Sequence, residues 1–107
     1  MTLQIHKFTP QESWQHLQAL PLWKIDSNAL AISREFVFPD FLIAFSFMTQ
    51  IAILAEKHNH HPEWRNVYNK VDVTWSTHDV KGLSSRDFLL AGLCDEAFEK
   101  AQATEDS

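Results

Sequence analysis

The 107-residue sequence contains few of the residues that mark several classes of protein. It has one cysteine, Cys94, so no disulfide can form within the chain, and a reducing compartment is expected. Its two glycines and four prolines are too few for a disordered chain or a low-complexity repeat. It has no run of Lys and Arg, and its net charge of −5 disfavours direct binding to nucleic acid.

Long hydrophobic segments are also missing. The first seven residues have no apolar core and no small-residue cleavage site, so they do not form a signal peptide. The longest apolar stretch, residues 41–55, contains three polar residues and is shorter than the ~20 residues of a membrane span. We therefore expect a soluble, cytoplasmic protein. Because a compact domain usually takes ~100–150 residues, residues 1–107 are expected to form a single domain.

Three segments have helical capping signals or helical spacing of apolar residues. Thr9 and Glu12 have the spacing of a capping box, and so do Ser84 and Asp87. Asp87 is therefore either the acidic half of a helix cap or, together with histidines, part of a site. The predicted helices cover residues 10–20, residues 41–59 and residues 85–102.

Four further segments predict strands. They cover residues 22–25, residues 29–38, residues 67–68 and residues 70–78, and the last places His78 at a strand end. Strands that follow each other through short turns pair in antiparallel fashion. The predicted fold is therefore α+β, with two layers: a four-stranded antiparallel sheet and three helices on one face, in the order α-β-β-α-β-β-α.

The second predicted helix is apolar on two sides. One side carries Phe41, Phe45, Met48, Ala52 and Ala55, and the other carries Ile43, Phe47 and Leu54. In a domain of this size one side of a helix should meet solvent. We therefore expect the stripe of Ile43, Phe47 and Leu54 to pack against another subunit, the alternative being a helix enclosed by its own chain.

The residues best suited to catalysis or ligand binding lie in segment 55–64, Ala-Glu-Lys-His-Asn-His-His-Pro-Glu-Trp. Four of the six histidines of the chain, His58, His60, His61 and His78, lie in this segment or shortly after it. Histidine is the one side chain whose unperturbed pKa lies close to neutral pH, and its neutral ring is also a common metal ligand. The cluster therefore indicates either proton transfer or metal binding.

A metal site could draw on His58, His60, His61, His78 and Asp87. The spacing fits poorly, because helical ligand pairs favour separations of three or four residues and adjacent histidines in an extended chain point apart. Acid–base catalysis fits better, since His60 and His61 follow the C-terminal end of a helix, which favours imidazolium. We expect Glu56 to orient His60, and Trp64 to offer a flat face for a heterocycle.

The pattern Glu56-x-x-x-His60-His61-Pro62, followed by Tyr68, His78 and Asp87, resembles the signature of the pterin-4a-carbinolamine dehydratase family. The mammalian member is also the dimerisation cofactor of a hepatocyte nuclear factor. The resemblance covers roughly residues 8–100. It implies dehydration of 4a-hydroxytetrahydrobiopterin to quinonoid dihydropterin and water, a step in tetrahydropterin recycling for the aromatic amino-acid hydroxylases.

The resemblance also implies roles for individual residues. It makes His60, His61 and His78 catalytic, with His60 and His78 as the acid–base pair. It gives substrate-binding or orienting roles to Glu56, Trp64, Ser76, Thr77 and Asp87. It implies no metal and no other cofactor, because the dehydration is redox-neutral.

The implied partners are a pterin substrate and further copies of the chain, in a homodimer or homotetramer formed through helix two and a sheet edge. The resemblance also allows a transcription factor or a hydroxylase as a partner. The family includes non-enzymatic relatives, such as assembly chaperones for the carbon-fixing carboxylase. A binding protein, whether a dimerisation cofactor or an assembly chaperone, is therefore the alternative to an enzyme.

Overall fold

Four antiparallel strands form one sheet, and three helices cover one of its faces, in the computed structural model, which describes residues 4–106. The elements are α1 (Pro10–Leu17), β1 (Lys24–Ile25), β2 (Ile32–Val37), α2 (Phe41–His58), β3 (Glu63–Val67), β4 (Lys70–Trp75), a short 3₁₀ helix (His78–Val80) and α3 (Ser85–Asp106). The strand order is β1-β2-β4-β3. The predicted α+β fold and its order of elements are confirmed.

The central strand β4 separates the two faces of the sheet by its alternating sequence. Val71, Val73 and Trp75 are fully buried beneath the helices, whereas the intervening Lys70, Asp72 and Thr74 lie on the open face. Successive side chains of a strand point to opposite faces, so a period of two places all the apolar residues on one side. Removing this apolar surface from water is the main favourable contribution to the fold.

Arg34, which interrupts the apolar pattern of β2, has partners on the helical side of the sheet. Its Nη1 donates to Asp95 Oδ1 of α3 at 2.6 Å, and the Trp23 indole N–H donates to the same oxygen at 2.8 Å. The guanidinium carbon also lies 4.3 Å from the centroid of the Phe36 ring, within cation–π range. The charge is thus compensated inside the chain, and it links β2 to α3.

Helix α2 presents to the sheet the side that we expected to meet another subunit. Phe47 is buried, and Ile43 and Leu54 pack against the core, so this part of the prediction is wrong. The exposed apolar side chains are instead Phe41, Leu42, Phe45 and Ile53, with 48–70% of their surface accessible. Periodicity identified two apolar faces, but only the packing shows which of them the sheet covers. No helix within residues 4–106 is long and apolar enough to cross a membrane.

The strand boundaries differ from those predicted in ways that matter for the site. Strand β3 begins at Glu63, directly after Pro62, rather than at Val67, because an edge strand tolerates a proline beside it. Strand β4 ends at Trp75, so His78 begins a 3₁₀ turn instead of ending a strand. Strand β1 is reduced to two residues, since the Asp26 side chain accepts backbone N–H groups in a longer turn.

The capping box at Thr9 and Glu12 is formed, with backbone-to-side-chain bonds of 2.9 and 3.1 Å. Helix α1 nevertheless ends at Leu17, and a turn closed by the Leu20 N–H on the Leu17 carbonyl (2.9 Å) follows it. Helix α3 continues past the predicted end at Gln102 to Asp106. Ser107 lies outside the described residues.

Candidate functional site

The position of His60 is fixed by the way in which helix α2 ends. Asn59 adopts the left-handed conformation, with φ 50°, which Asn tolerates better than most residues. The backbone N–H of His60 then closes on the carbonyl of Ala55 at 3.0 Å. This reversal ends the helix and directs the His60 ring into the protein, where 7% of the residue is exposed.

His60 pairs with the fully buried carboxylate of Asp87, at the start of α3. The distance from His60 Nε2 to Asp87 Oδ1 is 2.6 Å. The other carboxylate oxygen accepts hydrogen bonds from the Thr77 hydroxyl (2.7 Å) and the Ser84 backbone N–H (2.9 Å). Asp87 is therefore both half of a helix cap and the partner of a site histidine. The two interpretations of Asp87 are both correct.

The pairing determines the tautomer of His60. An ionised carboxylate only accepts hydrogen bonds, so the hydrogen between Asp87 and His60 belongs to Nε2 of the ring. In neutral His60 the lone pair is consequently on Nδ1. The Trp75 indole stacks on the imidazole, with centroids 5.6 Å apart and planes inclined by 13°, and so restricts its rotation.

Glu56 pairs with His61 rather than with His60. Its Oε1 lies 2.6 Å from His61 Nε2, and both side chains are more than half exposed. The prediction that Glu56 orients His60 is therefore wrong, because the sharp end of α2 turns His60 inward and leaves His61 beside the last turn. Asp87 has the orienting role for His60 that we gave to Glu56.

His78 lies on a short loop that is closed at its base. The backbone groups of Thr77 and Gly82 bond to each other, with N–H to O=C distances of 2.7 and 3.3 Å, and the 3₁₀ turn fills the space between them. His78 Nε2 lies 3.7 Å from Glu63 Oε1, an ion-pair distance rather than a hydrogen bond. The side chain of His78 is 75% exposed, which sets it apart from the buried His60.

The three histidines line one cavity of about 260 Å³, between the end of α2, the start of β3 and the loop after β4. Its lining consists of Asn59, His60, His61, Pro62, Glu63, Ser76, Thr77, His78, Asp79 and Arg86. A second concavity of about 410 Å³ shares Glu63, Ser76, Thr77 and His78 with it. The volumes of these two concavities beside His78 are therefore close to the range of ~300–1,000 Å³ that is typical of small-molecule sites.

The predicted site residues are brought together only in part. Ser76 lines the cavity, whereas the buried Thr77 hydroxyl is engaged with Asp87 and supports that carboxylate. Trp64 packs on the helical side of the sheet, opposite Val73, and does not line the cavity. Trp75, a fully buried core residue, is the indole that contacts a site histidine.

Sequence reasoning missed several lining residues, Glu63 and Arg86 among them. Glu63 follows the histidine motif directly, but it reaches His78 only because β3 and β4 pair with Glu63 opposite Thr74. Arg86 precedes Asp87 in the first turn of α3. Its adjacency to Asp87 was the one signal that could have placed it at the site.

A larger concavity, about 680 Å³, lies elsewhere, on the open face of the sheet. It is lined by Leu22, Lys24, Ser33, Arg34, Glu35, Asp72 and Thr74. Its lining contains no histidine, whereas the lining of the smaller cavity contains three. Chemistry therefore favours the smaller cavity as the candidate site.

A metal centre has little support in the geometry. Within the part of the chain that the structure describes, no three His, Cys, Asp or Glu side chains are arranged to hold a metal ion. The three cavity histidines instead face separate carboxylates: Asp87, Glu56 and Glu63. Such pairing orients imidazoles for proton transfer, in the way that a triad carboxylate orients its histidine.

Comparison with known proteins shows one family. Residues 6–97 match the family model described as pterin 4 alpha carbinolamine dehydratase. A protein from Rhizorhabdus wittichii, provisionally named as such a dehydratase, is 53% identical over 89 residues, which are 83% of this chain and 92% of the relative. A protein of the same provisional name from Burkholderia lata is 52% identical over 98 residues, 92% of this chain and 96% of the relative.

Two solved structures are similar. One, described as a transcriptional coactivator/pterin dehydratase from Brucella melitensis, is 42% identical with a TM-score of 0.83, and covers 86% of this chain and 98% of its own. The other, a pterin dehydratase-like protein identified as a RuBisCO assembly factor of the alpha-carboxysome, is 17% identical with a TM-score of 0.62 over 71% of this chain and 88% of its own. The second likeness shows a common fold alone.

Proposed function

The chain belongs to the pterin 4 alpha carbinolamine dehydratase family, and we propose that it removes water from 4a-hydroxytetrahydrobiopterin to give quinonoid dihydropterin. The observation that carries this proposal is the buried His60–Asp87 pair at a cavity that also holds His61 and His78. The activity would belong to tetrahydropterin recycling, after an aromatic amino-acid hydroxylase has formed the carbinolamine. It would take place in the cytoplasm.

The reaction needs one proton donor and one proton acceptor. The C4a–O bond breaks, and the oxygen leaves as water after receiving a proton. The electron pair of N5 forms the C4a=N5 double bond, and the N5 proton passes to a base. Positioned acid and base groups contribute ~10²–10⁴-fold to the rate of such a step.

We assign the base to His60 and the acid to His78. His60 has a lone pair on Nδ1 because Asp87 holds the hydrogen of Nε2, and Asp87 stabilises the imidazolium that forms when the N5 proton arrives. The carbonyl end of α2 adds to that stabilisation. His78, exposed to solvent, protonates the departing hydroxyl and is readily reprotonated. His61, held by Glu56, binds substrate at the rim.

The decisive experiment measures conversion of the 4a-carbinolamine by absorbance in a stopped-flow instrument. His60→Ala and His78→Ala should each lower the catalysed rate about 10²-fold or more. His58→Ala is the matched control, since His58 lies in the same segment but does not line the cavity, and should retain activity. Wild-type turnover in both cavity variants would refute the assignment.

Self-association through α2 is a second part of the proposal. Phe41, Leu42, Phe45 and Ile53 are large apolar side chains that α2 exposes, and such side chains are often covered by another protein subunit. The polar residues between them do not oppose this, because Ser46 and Thr49 direct their hydroxyls to carbonyls of their own helix at 2.9 and 3.0 Å. We propose that a second copy packs here, and edge strand β3 offers a further surface for assembly.

Light scattering tests this assembly. Phe45→Glu should shift the chain to a smaller species, while the control Leu89→Glu, at an exposed leucine of α3, should not. An unchanged mass for Phe45→Glu would contradict association through this face. Phe45→Glu also tests the alternative of a binding protein, because a partner that binds through α2 should be lost by this variant. If a His60/His61/His78 triple alanine variant keeps that partner, binding is independent of the cavity.

A further inference from the structure

Arg86 is a charged residue at the cavity that the proposed proton transfers do not use. It lies in the first turn of α3, is half-buried, and lines the cavity together with His60, His61 and His78. Its backbone N–H donates to Ser84 Oγ at 3.3 Å. Its guanidinium forms no hydrogen bond, ion pair or cation–π contact within residues 4–106.

This position is electrostatically unfavourable for the folded chain alone. The first turn of a helix carries partial positive charge, so a cation there is destabilising and a carboxylate such as Asp87 is favoured. Within residues 4–106 no hydrogen bond or ion pair of the half-buried side chain offsets this cost. Residues that break a local rule without compensation inside the chain are expected at functional positions.

The charges around the cavity indicate what Arg86 could recognise. The lining contains the acidic residues Glu63 and Asp79 and three histidines, and Arg86 is its one Arg or Lys side chain. A guanidinium offers five N–H donors in a planar fork and does not release a proton at any working pH. It therefore suits binding of an acceptor oxygen and cannot serve as the acid or the base.

Resting on the dehydratase function proposed above, we propose that Arg86 binds an acceptor oxygen of the pterin and so determines substrate affinity. Two kinds of oxygen on the substrate share this chemistry: the C4 carbonyl of the ring and the hydroxyls of the dihydroxypropyl group at C6. Arg86 acts on binding, while His60 and His78 carry out proton transfer. Its loss should raise KM and leave kcat and the pH profile of kcat in place.

The test compares Arg86→Gln and Arg86→Lys with wild type in steady-state dehydration. The carbinolamines of a dihydroxypropyl-substituted and a 6-methyl tetrahydropterin serve as substrates. Arg86→Gln should raise KM about tenfold or more, the effect of losing a hydrogen bond to a charged group. Arg86→Lys should recover part of this loss, because it restores the charge without the planar fork. The control Arg65→Gln, on the open face of the sheet, should change neither constant.

The two substrates distinguish the sources of the oxygen. A higher KM for both supports recognition of the ring carbonyl, whereas a higher KM for the dihydroxypropyl substrate alone supports recognition of the side chain. Unchanged KM for both, or a fall in kcat with KM unchanged, overturns the proposal. Thermal unfolding supplies a further readout: Arg86→Gln should raise Tm if the guanidinium serves the ligand, and a lower Tm would show a structural role.

Calorimetric titration with 7,8-dihydrobiopterin separates this proposal from the enzymatic one. If wild type turns over no carbinolamine but binds the dihydropterin, the dehydratase function fails while Arg86 can still be judged. Weaker binding by Arg86→Gln then supports the role of Arg86, and equal binding overturns it. If wild type neither turns over nor binds a pterin, both proposals are refuted.

Discussion

Replacing Asp87 with asparagine should abolish most of the activity without unfolding the chain, because it reverses the tautomer of His60. The side chain keeps its size, but only one of its two terminal atoms still accepts hydrogen bonds. The backbone N–H of Ser84 is a fixed donor 2.9 Å from Oδ2, and the Thr77 hydroxyl also donates there. The amide oxygen must therefore occupy the Oδ2 position, and the NH₂ group must face His60.

This substitution changes which ring nitrogen of His60, the proposed base, carries the proton. An NH₂ group at 2.6 Å from Nε2 requires a lone pair on that nitrogen, so the proton of neutral His60 moves to Nδ1. Nδ1 can then no longer accept the N5 proton. Rotating the amide would set its NH₂ against the Ser84 N–H, two donors face to face. We expect a loss of about 10²–10⁴-fold in kcat, the range for removal of a positioned acid or base.

Stability should fall much less than activity. Exchanging the carboxylate for an amide weakens hydrogen bonds to a charged group, which costs about 1–3 kcal/mol of the ~5–15 kcal/mol that holds a typical domain folded. Asp87→Ala is the poorer variant, since it removes an acceptor that three buried donors share and risks unfolding. Circular dichroism and the thermal midpoint should show that Asp87→Asn remains folded.

The assay is stopped-flow dehydration of the 4a-carbinolamine, with Asp95→Asn as the matched control. Asp95 lies on the same helix and also accepts two side-chain hydrogen bonds, from Trp23 and Arg34, but it is remote from the cavity lining. The control should lose stability and keep its kcat. If folded Asp87→Asn turns over at the wild-type rate, the tautomer argument and the assignment of His60 as base are wrong.

Three further predictions concern stability. Gly92→Ala in α3 should raise the free energy of unfolding by about 1 kcal/mol, because an added Cβ meets nothing within 4 Å and alanine is the better helix former; a lower value in urea unfolding would contradict this. Tyr68→Gly should stabilise by up to about 1 kcal/mol in the same assay, since Tyr68 has a φ of 51° that glycine adopts without steric cost. Burial raises the pKa of the Cys94 thiol from 9.0 to about 12, so its contribution to stability is complete below pH 9 and is lost as the pH rises towards 12. The Tm of wild type should thus fall more steeply above pH 9 than that of Cys94→Ala, and parallel curves would refute the argument.

The sequence was sufficient for the order of elements because each has a strong local signal. The capping box at Thr9 and the alternation of Val71, Val73 and Trp75 report on neighbours within a few residues, where propensity and periodicity act. The boundaries were less accurate where tertiary pairing decides them. Strand β3 begins at Glu63 because β4 offers it an edge, not because its own residues favour a strand.

The faces of α2 show the limit of periodicity most clearly. Both sides of the helix are apolar, and a helical wheel gives no reason to prefer Phe47 over Phe45 for the core. Phe47 is selected because Phe36 of β2 and Phe38, just after that strand, meet it with ring centroids 4.8 and 5.0 Å away. Such a choice depends on residues from another part of the chain, and periodicity within one helix does not contain it.

The same limit applies to the site, and it bears on how the chemistry is divided. The motif identified the three histidines, but their carboxylate partners lie 27, 5 and 15 positions away, and only folding pairs them. We propose that the resulting differences in exposure serve the division of roles between acid and base. A base needs one fixed tautomer, which the buried Asp87 imposes on His60, and an acid needs rapid reprotonation, which solvent supplies to His78. Exchanging these environments would leave the acid without a proton source and the base without a defined lone pair. The arrangement therefore supports His60 as the base and His78 as the acid.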